Sequence, residues 1–382
     1  MNRELTSNSI MYIDLQKVKG NIEKIRKHIG PDVELMVTMK SYGYGHGMVE
    51  PALYMAEECG VKKFATAALS EALELREAGI KCMIMTFGGV PHTGVSALVA
   101  NDIVATLYDY EFARLISEES VRQNKITKCH IKIDTGMRRI GVHVGAELQD
   151  YVDFVKALPG IEIEGALTQL ASPDEPSHAF NREQLAEFDE AIIQMKASGL
   201  NLKYLHTANS GATVRLPASY YNMVRPAALI WGYDTSPGEY NRLGLETVIS
   251  WKAYVTNVRD VAKGESASYS KFFKPQCDSK VAIMSFGTGD GYLKHIITKD
   301  ASKNPQVIIN GRKCPIIAIN MDQTFADVTN VPVVKIGDEV WIFGKQGDVE
   351  VGVMDVSAIG GASDSHILGN LTSTRPYRVY LK

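Results

Sequence analysis

The sequence predicts an α/β chain: a (β/α)8 TIM barrel followed by an all-β C-terminal domain. Three observations predict it. Short apolar runs alternate with amphipathic helical stretches over the first ~240 residues, the size expected of a barrel of eight βα units. The helical texture then stops. Short strand-like runs separated by glycine-rich turn signals take its place. An open doubly wound sheet is the alternative architecture, and the regularity of the repeat argues against it.

In order, the barrel strands are read at 34–40 (ELMVTMK), 64–69 (FATAAL), 83–89 (MIMTFGG) and 102–109 (DIVATLYD). Four more follow at 129–136 (CHIKIDTG), 163–170 (IEGALTQL), 204–210 (YLHTANS) and 222–231 (NMVRPAALIW). Between them, 15–29, 68–80 and 180–198 repeat apolar residues at helical spacing. After the GEYNRLGLE stretch at 238–246, the runs TVISWKAYVTNV, KVAIMSF, PQVIING, CPIIAINM, DEVWIFG and VEVGVMDVSAIG read as strands. The expected domains are 1–240, the barrel, and 241–382, the β-strand domain.

Composition narrows the function. A length of 382 residues with 45% hydrophobic and 22% charged residues suits large cores in more than one domain. A net charge of −3 gives no polybasic surface for nucleic acid or anionic lipid. No apolar run reaches the roughly 18 residues of a membrane span, and the N-terminus lacks a secretory h-region. Five scattered cysteines without a CxxC pair suggest neither a metal site nor a disulfide framework. A reduced, cytoplasmic setting is the expectation.

The chemistry gathers at strand ends. Lys40 closes the first strand, where barrel enzymes place reactive groups, and Gly43, Gly45 and Gly47 follow it with Tyr44 among them. Such a loop can approach an anion closely. A partly desolvated lysine loses its proton and can bond an aldehyde cofactor. A lysine at a strand end is more often simply solvated; the glycines bring the two readings level.

The segment VTMKSYGYGHG resembles the pyridoxal-phosphate lysine signature of alanine racemases, V-K-A-N-A-Y-G-H-G, with Ser41, Tyr42 and Gly43 departing from the usual spacer. The resemblance implies that Lys40 carries pyridoxal 5'-phosphate and is one of two racemisation bases, and that Tyr44 binds its phosphate. HIKIDTGMRRIG at 130–141 resembles the family's K-x-D-T-G-M-x-R-x-G. Lys132 and Asp134 lie two apart and share a strand face. If buried, they must be paired or masked. By resemblance Lys132 is carbamylated and pairs with Arg139, which contacts cofactor and substrate. HTANSGATVRLPASYYNMVRPAALIWG at 206–232 resembles H-x-A-N-S followed by V-R-P-G. That implies Asn209, Ser210 and Ala227 at the phosphate and Arg225 at the pyridine nitrogen. KGESASYSKFF at 263–273 resembles G-x-x-V-S-Y-G and makes Tyr269 the second acid–base, supplied across a homodimer with shared active sites. NMDQTFADVT at 320–329 places Met321 and Asp322 at the substrate pocket.

Alone, Arg225 would read as a surface arginine and Tyr269 as a packing residue; their motifs reverse that. Several positions depart from the family. Gln169 stands where a histidine is usual and can hydrogen-bond but not hold a charge. Ala227 replaces a glycine, Thr288 a tyrosine at the substrate entrance, and His366 a phosphate-contacting tyrosine. Lost aromatic bulk implies a pocket open to serine or a larger amino acid as well as alanine. The reading is therefore an amino-acid racemase. A lyase on the same fold, decarboxylase or aldolase, is the alternative, and a non-catalytic cofactor carrier the third. Neither Cys277 nor Cys314 has a decarboxylase context, and no metal cluster suits an aldolase.

Overall fold

The computed structural model describes residues 3–175, 177–234, 241–361 and 363–382. The expected junction at 240/241 borders residues 235–240, which lie outside the described residues. The chain divides into two compact units. One comprises Lys17–Gly43 and Met48–Thr247; the other comprises Met1–Gln16, Tyr44–Gly47 and Val248–Lys382.

In the first unit all eight expected strands form, shorter than their apolar runs: Glu34–Leu35 with Val37–Thr38, Lys63–Thr66, Met83–Thr86, Ala105–Leu107, Thr127–Lys132, Ile161–Leu167, Tyr204–His206 and Met223–Val224. Neighbours pair in parallel. A bridge between Met85 and Val104 joins the third strand to the fourth. Asn222 N donates to Leu205 O and Arg225 N to Ala208 O, joining the seventh to the eighth. The eighth pairs with the first and closes the ring. Seven strands each give one apolar residue to an interior cluster: Met36, Ala65, Met85, Val104, Leu167, Tyr204 and Met223. The helices cover the outside. Leu15–Ile29 buries Val18, Ile22, Ile25 and Ile29, spaced three and four apart. Asn21 on the same helix is buried because its amide serves Ile230 O, Glu246 O and Glu246 N.

The second unit is a nine-stranded sheet. Its strand Ile249–Val261 pairs with both Ser279–Met284 and Glu339–Gln346, which closes six strands into a small barrel. The sequence reading assigns no element to strands Thr324–Asp327 and Tyr377–Leu381 or helix Asp364–Asn370, and two further features differ from it. Ser9–Asp14, assigned to no strand, pairs antiparallel with Ile249–Val261 and parallel with Tyr377–Leu381. The run VEVGVMDVSAIG is not one strand: it breaks at Gly352 into strand Val349–Val351 and helix Val353–Gly360. Asp355 decides the break by accepting Gly352 N at 2.7 Å, a helix-start contact. With helix Asp364–Asn370 this makes the unit β-rich with two short helices.

Candidate active site

In the barrel unit, the first and eighth strands bring Thr38, two residues before Lys40, against Arg225 and Pro226. Thr38 N donates to Pro226 O at 3.0 Å, and Thr38 Oγ1 donates to Arg225 O at 3.3 Å. Directly after Lys40 the backbone turns left-handed. Ser41, Tyr42, Gly43 and Tyr44 have φ of 51, 54, 59 and 54°. Three of them are not glycine, and each such residue costs about 1–2 kcal/mol in this region. Strain of this kind persists where the surroundings over-determine it. Glu71 supplies one restraint, accepting Ser41 N at 2.6 Å and both Ala67 N and Ala68 N at 3.0 Å. Burial, and then the Arg139 charge, lower the Lys40 amine below the usual lysine value, with Glu71 opposing them.

Arg225 is 4% exposed. Burial lowers its pKa to about 9, so it stays charged at neutral pH. Its Nη1 donates to His206 Nδ1 at 3.0 Å. Its Nη2 donates to Thr168 O at 2.9 Å, Thr207 O at 3.2 Å and Gln169 Oε1 at 3.3 Å. Its Nε–H and second Nη1–H find no acceptor among the described residues. Because arginine only donates, the Gln169 atom facing it must be the amide oxygen. Phe87 lies 5.5 Å from the guanidinium carbon.

Lys132 is 6% exposed. Burial, then the charges of Arg225 and Arg139, push its amine well below the ordinary value. Asp134 is also buried, but its carboxylate is not paired to Lys132. It accepts Gly136 N at 2.9 Å and Arg138 N at 3.0 Å, holding the turn that leads to the exposed Arg139. Ser210 and Ala227, expected together at a phosphate, do meet: Ala227 N donates to Ser210 Oγ at 2.9 Å, leaving the serine O–H to donate. The Asn209 side chain serves locally. Its Oδ1 caps the six-residue helix Ser210–Arg215 by accepting Ala212 N.

The second unit gathers another set. Tyr269 opens a turn at Tyr269–Lys271 and is 77% exposed. The preceding Ser268 hydroxyl donates to Asn320 Oδ1 at 3.2 Å. Thr288 N donates to Asn320 O and Gly289 N to Met321 O, both at 2.9 Å. Arg375 joins Asp322 at 2.9 Å and Asp290 at 3.5 Å. Tyr269, Thr288, Met321 and Asp322 thus flank one segment. His366 lies on the helix Asp364–Asn370, its ring 5.7 Å from that of His295. Tyr44 is buried in this unit. After it, a Cβ at Gly45 (φ +80°) would lie 2.6 Å from Leu371 Cβ and 2.8 Å from Leu368 O, so only glycine fits.

Residues 13–235 match the family model "Alanine racemase, N-terminal domain", and 248–380 match "Alanine racemase, C-terminal domain". The chain belongs to the alanine racemase family. It is 33% identical over 371 residues to the alanine racemase of Methanococcus maripaludis, covering 97% of each chain. The alanine racemase structure from D-cycloserine-producing Streptomyces lavendulae superposes with a TM-score of 0.91 at 27% identity, covering 98% of this chain and 97% of that one. That from Bartonella henselae, with covalently bound pyridoxal phosphate, gives a TM-score of 0.85 at 26% identity over 98% of this chain and 100% of its own. No described helix is long and apolar enough to cross a membrane. Sequence reasoning assigns no role to Glu71, His206, His130 or Glu164, which hold the turn after Lys40 and the Arg225 guanidinium or lie behind them. Of these, His206 and His130 each open a quoted segment, and only His206 occupies a fixed position of the family pattern.

Proposed function

We propose that the chain interconverts the L and D forms of a small amino acid with pyridoxal 5'-phosphate as cofactor, alanine being the substrate for which its relatives are named. The observation that carries this is the presence, at the ends of adjacent strands, of a half-buried lysine amine below its usual pKa and a buried guanidinium that has N–H groups to spare. Those groups fit the cofactor. Lys40 would hold its aldehyde and Arg225 its ring nitrogen. In the barrel unit the Ser210 hydroxyl, set by Ala227 N, would hold its phosphate with Asn209 beside it; Tyr44 and His366 are the second unit's candidates for the same group. Gln169 and Arg139 would border the ring. Bound there, the cofactor supplies an electron sink that makes the substrate's α-hydrogen acidic.

The chain's own groups do the rest. Lys40 Nζ takes or returns the proton on one face of Cα, and burial and Arg139 favour the uncharged amine that this requires. Tyr269 Oη serves the opposite face. Its exposure suits delivery to the site of a second copy, in a homodimer. Met321, Asp322 and Thr288 border the entering amino acid. Lys132, held well below its ordinary pKa by burial and by two arginines, is the group that carbon dioxide would convert to a carbamate, giving both arginines an anion. The reduced bulk at Thr288 and His366 admits serine or a larger amino acid beside alanine.

The test is incubation of the purified chain, loaded with cofactor in deuterated water, with a panel of L- and D-amino acids. Epimerised product carrying deuterium at Cα is expected. Carbon dioxide or a released aldehyde without epimerisation would replace the racemase with a lyase. Alanine as the clear best substrate would end the wider-pocket reading.

A further inference from the structure

The apolar cluster inside the barrel is broken at the fifth strand. There, His130 is fully buried and stacks on Tyr204 at 5.7 Å between ring centres. Burying an imidazole costs free energy unless its nitrogens are satisfied. The bland reading is a core histidine that found partners, and the direction of its hydrogen bonds says more than that.

Arg225 has donors only, so His206 Nδ1, 3.0 Å from Arg225 Nη1, must accept. A neutral His206 then carries its hydrogen on Nε2, which lies 2.8 Å from His130 Nδ1. His130 Nδ1 accepts in turn and its hydrogen sits on Nε2. That atom faces Glu164 Oε1 at 3.7 Å, and both atoms are buried with no hydrogen-bond partner within 3.5 Å among the described residues. Both imidazoles are neutral: burial, then the Arg225 charge, hold His206 well below its ordinary value, and burial lowers His130 despite Glu164. The N–H groups that link Arg225 to His206 and His206 to His130, and the His130 Nε2–H beyond them, therefore point the same way, toward a buried carboxylate. Burial raises the Glu164 pKa, but His130 and Lys128, the latter 3.2 Å away, bring it below the usual value.

The local structure is built for this. Cys129 pairs with Ile163 and His130 with Gly165, so Glu164 is the extra residue of a β-bulge. Bulges re-aim side chains; this one leaves Glu164 3% exposed, facing His130. A Cβ at Gly165 would sit 2.8 Å from His130 Nδ1 and Cε1. Glu164 ends the string and Gly165 makes room for the ring.

We propose that Glu164 is a positioning residue for Arg225, acting through His130 and His206 to fix both tautomers and so the aim of the guanidinium. The kinetic part rests on the reading that Arg225 serves the cofactor ring; the tautomers do not. The test is two-bond 1H–15N correlation of the full chain labelled at histidine, with and without cofactor, assigned by His130→Asn and His206→Asn. In the native chain both rings hold the Nε2–H form between pH ~6 and ~9. Glu164→Gln offers both a donor and an acceptor, so His130 becomes a tautomer mixture, kcat falls about tenfold, and KM changes less than about twofold. Lys128→Met spares the fold, since Lys128 is half exposed, and strengthens the pull of Glu164, so His130 titrates at higher pH. Native tautomers and native kcat in Glu164→Gln, or an unmoved His130 titration in Lys128→Met, overturn the proposal. A chain that shows these tautomers but racemises nothing refutes the proposed function and leaves the string standing.

Discussion

Lys132→Met should make the protein more stable and less active. Lys132 ends the strand Thr127–Lys132, is 6% exposed, and has no hydrogen bond or ion pair among the described residues. Burial, then Arg225 and Arg139, hold its pKa well below that of a free lysine. A lysine depressed in the folded state binds fewer protons there than in the unfolded chain. Stability should therefore rise with pH from the depressed value up to the unfolded value of ~10.4. Methionine keeps the volume and removes the amine, and replacing a buried ionisable side chain with an apolar one is worth about 1–4 kcal/mol. Urea unfolding of the cofactor-free chain, in bicarbonate-free buffer at pH ~7 and ~9, measures both effects. The variant should gain about 1–4 kcal/mol at the lower pH and show a flatter pH slope than the parent. Bicarbonate should stabilise the parent and not the variant, because only the parent has an amine to carboxylate. Without that anion to hold Arg139 and Arg225, racemisation should fall about tenfold or more. Parallel pH slopes, or a variant less stable than its parent at pH ~7, would refute the reasoning.

Lys40→Ala should lose the cofactor's colour and about 10²–10⁴-fold in rate, read by absorbance and chiral chromatography; retained turnover would remove Lys40 from the chemistry. Capture of cofactor by the cofactor-free chain needs the neutral amine, so its pH midpoint should lie below the ordinary lysine value. It should move up in Glu71→Ala only if Glu71 were a net suppressor; the structure has Glu71 raising and Arg139 lowering the Lys40 pKa, so Arg139→Gln should move it up and Glu71→Gln down. Gly45→Ala forces φ +80° on an alanine and a Cβ against Leu371 and Leu368 O, which should cost about 2–4 kcal/mol in thermal or urea unfolding. Gln169→His puts a titratable group against Arg225 and should add an ionisation between pH ~5 and ~8 to the kcat profile; an unchanged profile would mean that Gln169 does not touch the reacting system.

The sequence by itself determined the eight barrel strands and the placement of Lys40. Each apolar run is bounded by turn residues, and the first stops at that lysine. It also determined the motif positions of Arg225, Ser210 and Tyr269, since these keep a family's spacing. The tertiary structure decided the rest, because the deciding contacts join residues far apart in the chain. Ser9–Asp14 is a strand only because Ile249–Val261 and Tyr377–Leu381 flank it, more than two hundred residues on. A short apolar run such as VEVGVMDVSAIG fits either period, and the capping contact of Asp355 selects the helix. Asp134, two residues from Lys132 and sharing its strand face, turns to the backbone of Gly136 and Arg138, whose N–H groups a tight turn leaves without partners. Glu164 reads as a polar residue at the start of a mostly apolar run. Only the bulge in its ladder with Thr127–Lys132 brings it to His130, because a strand's inside and outside alternate until an extra residue resets them.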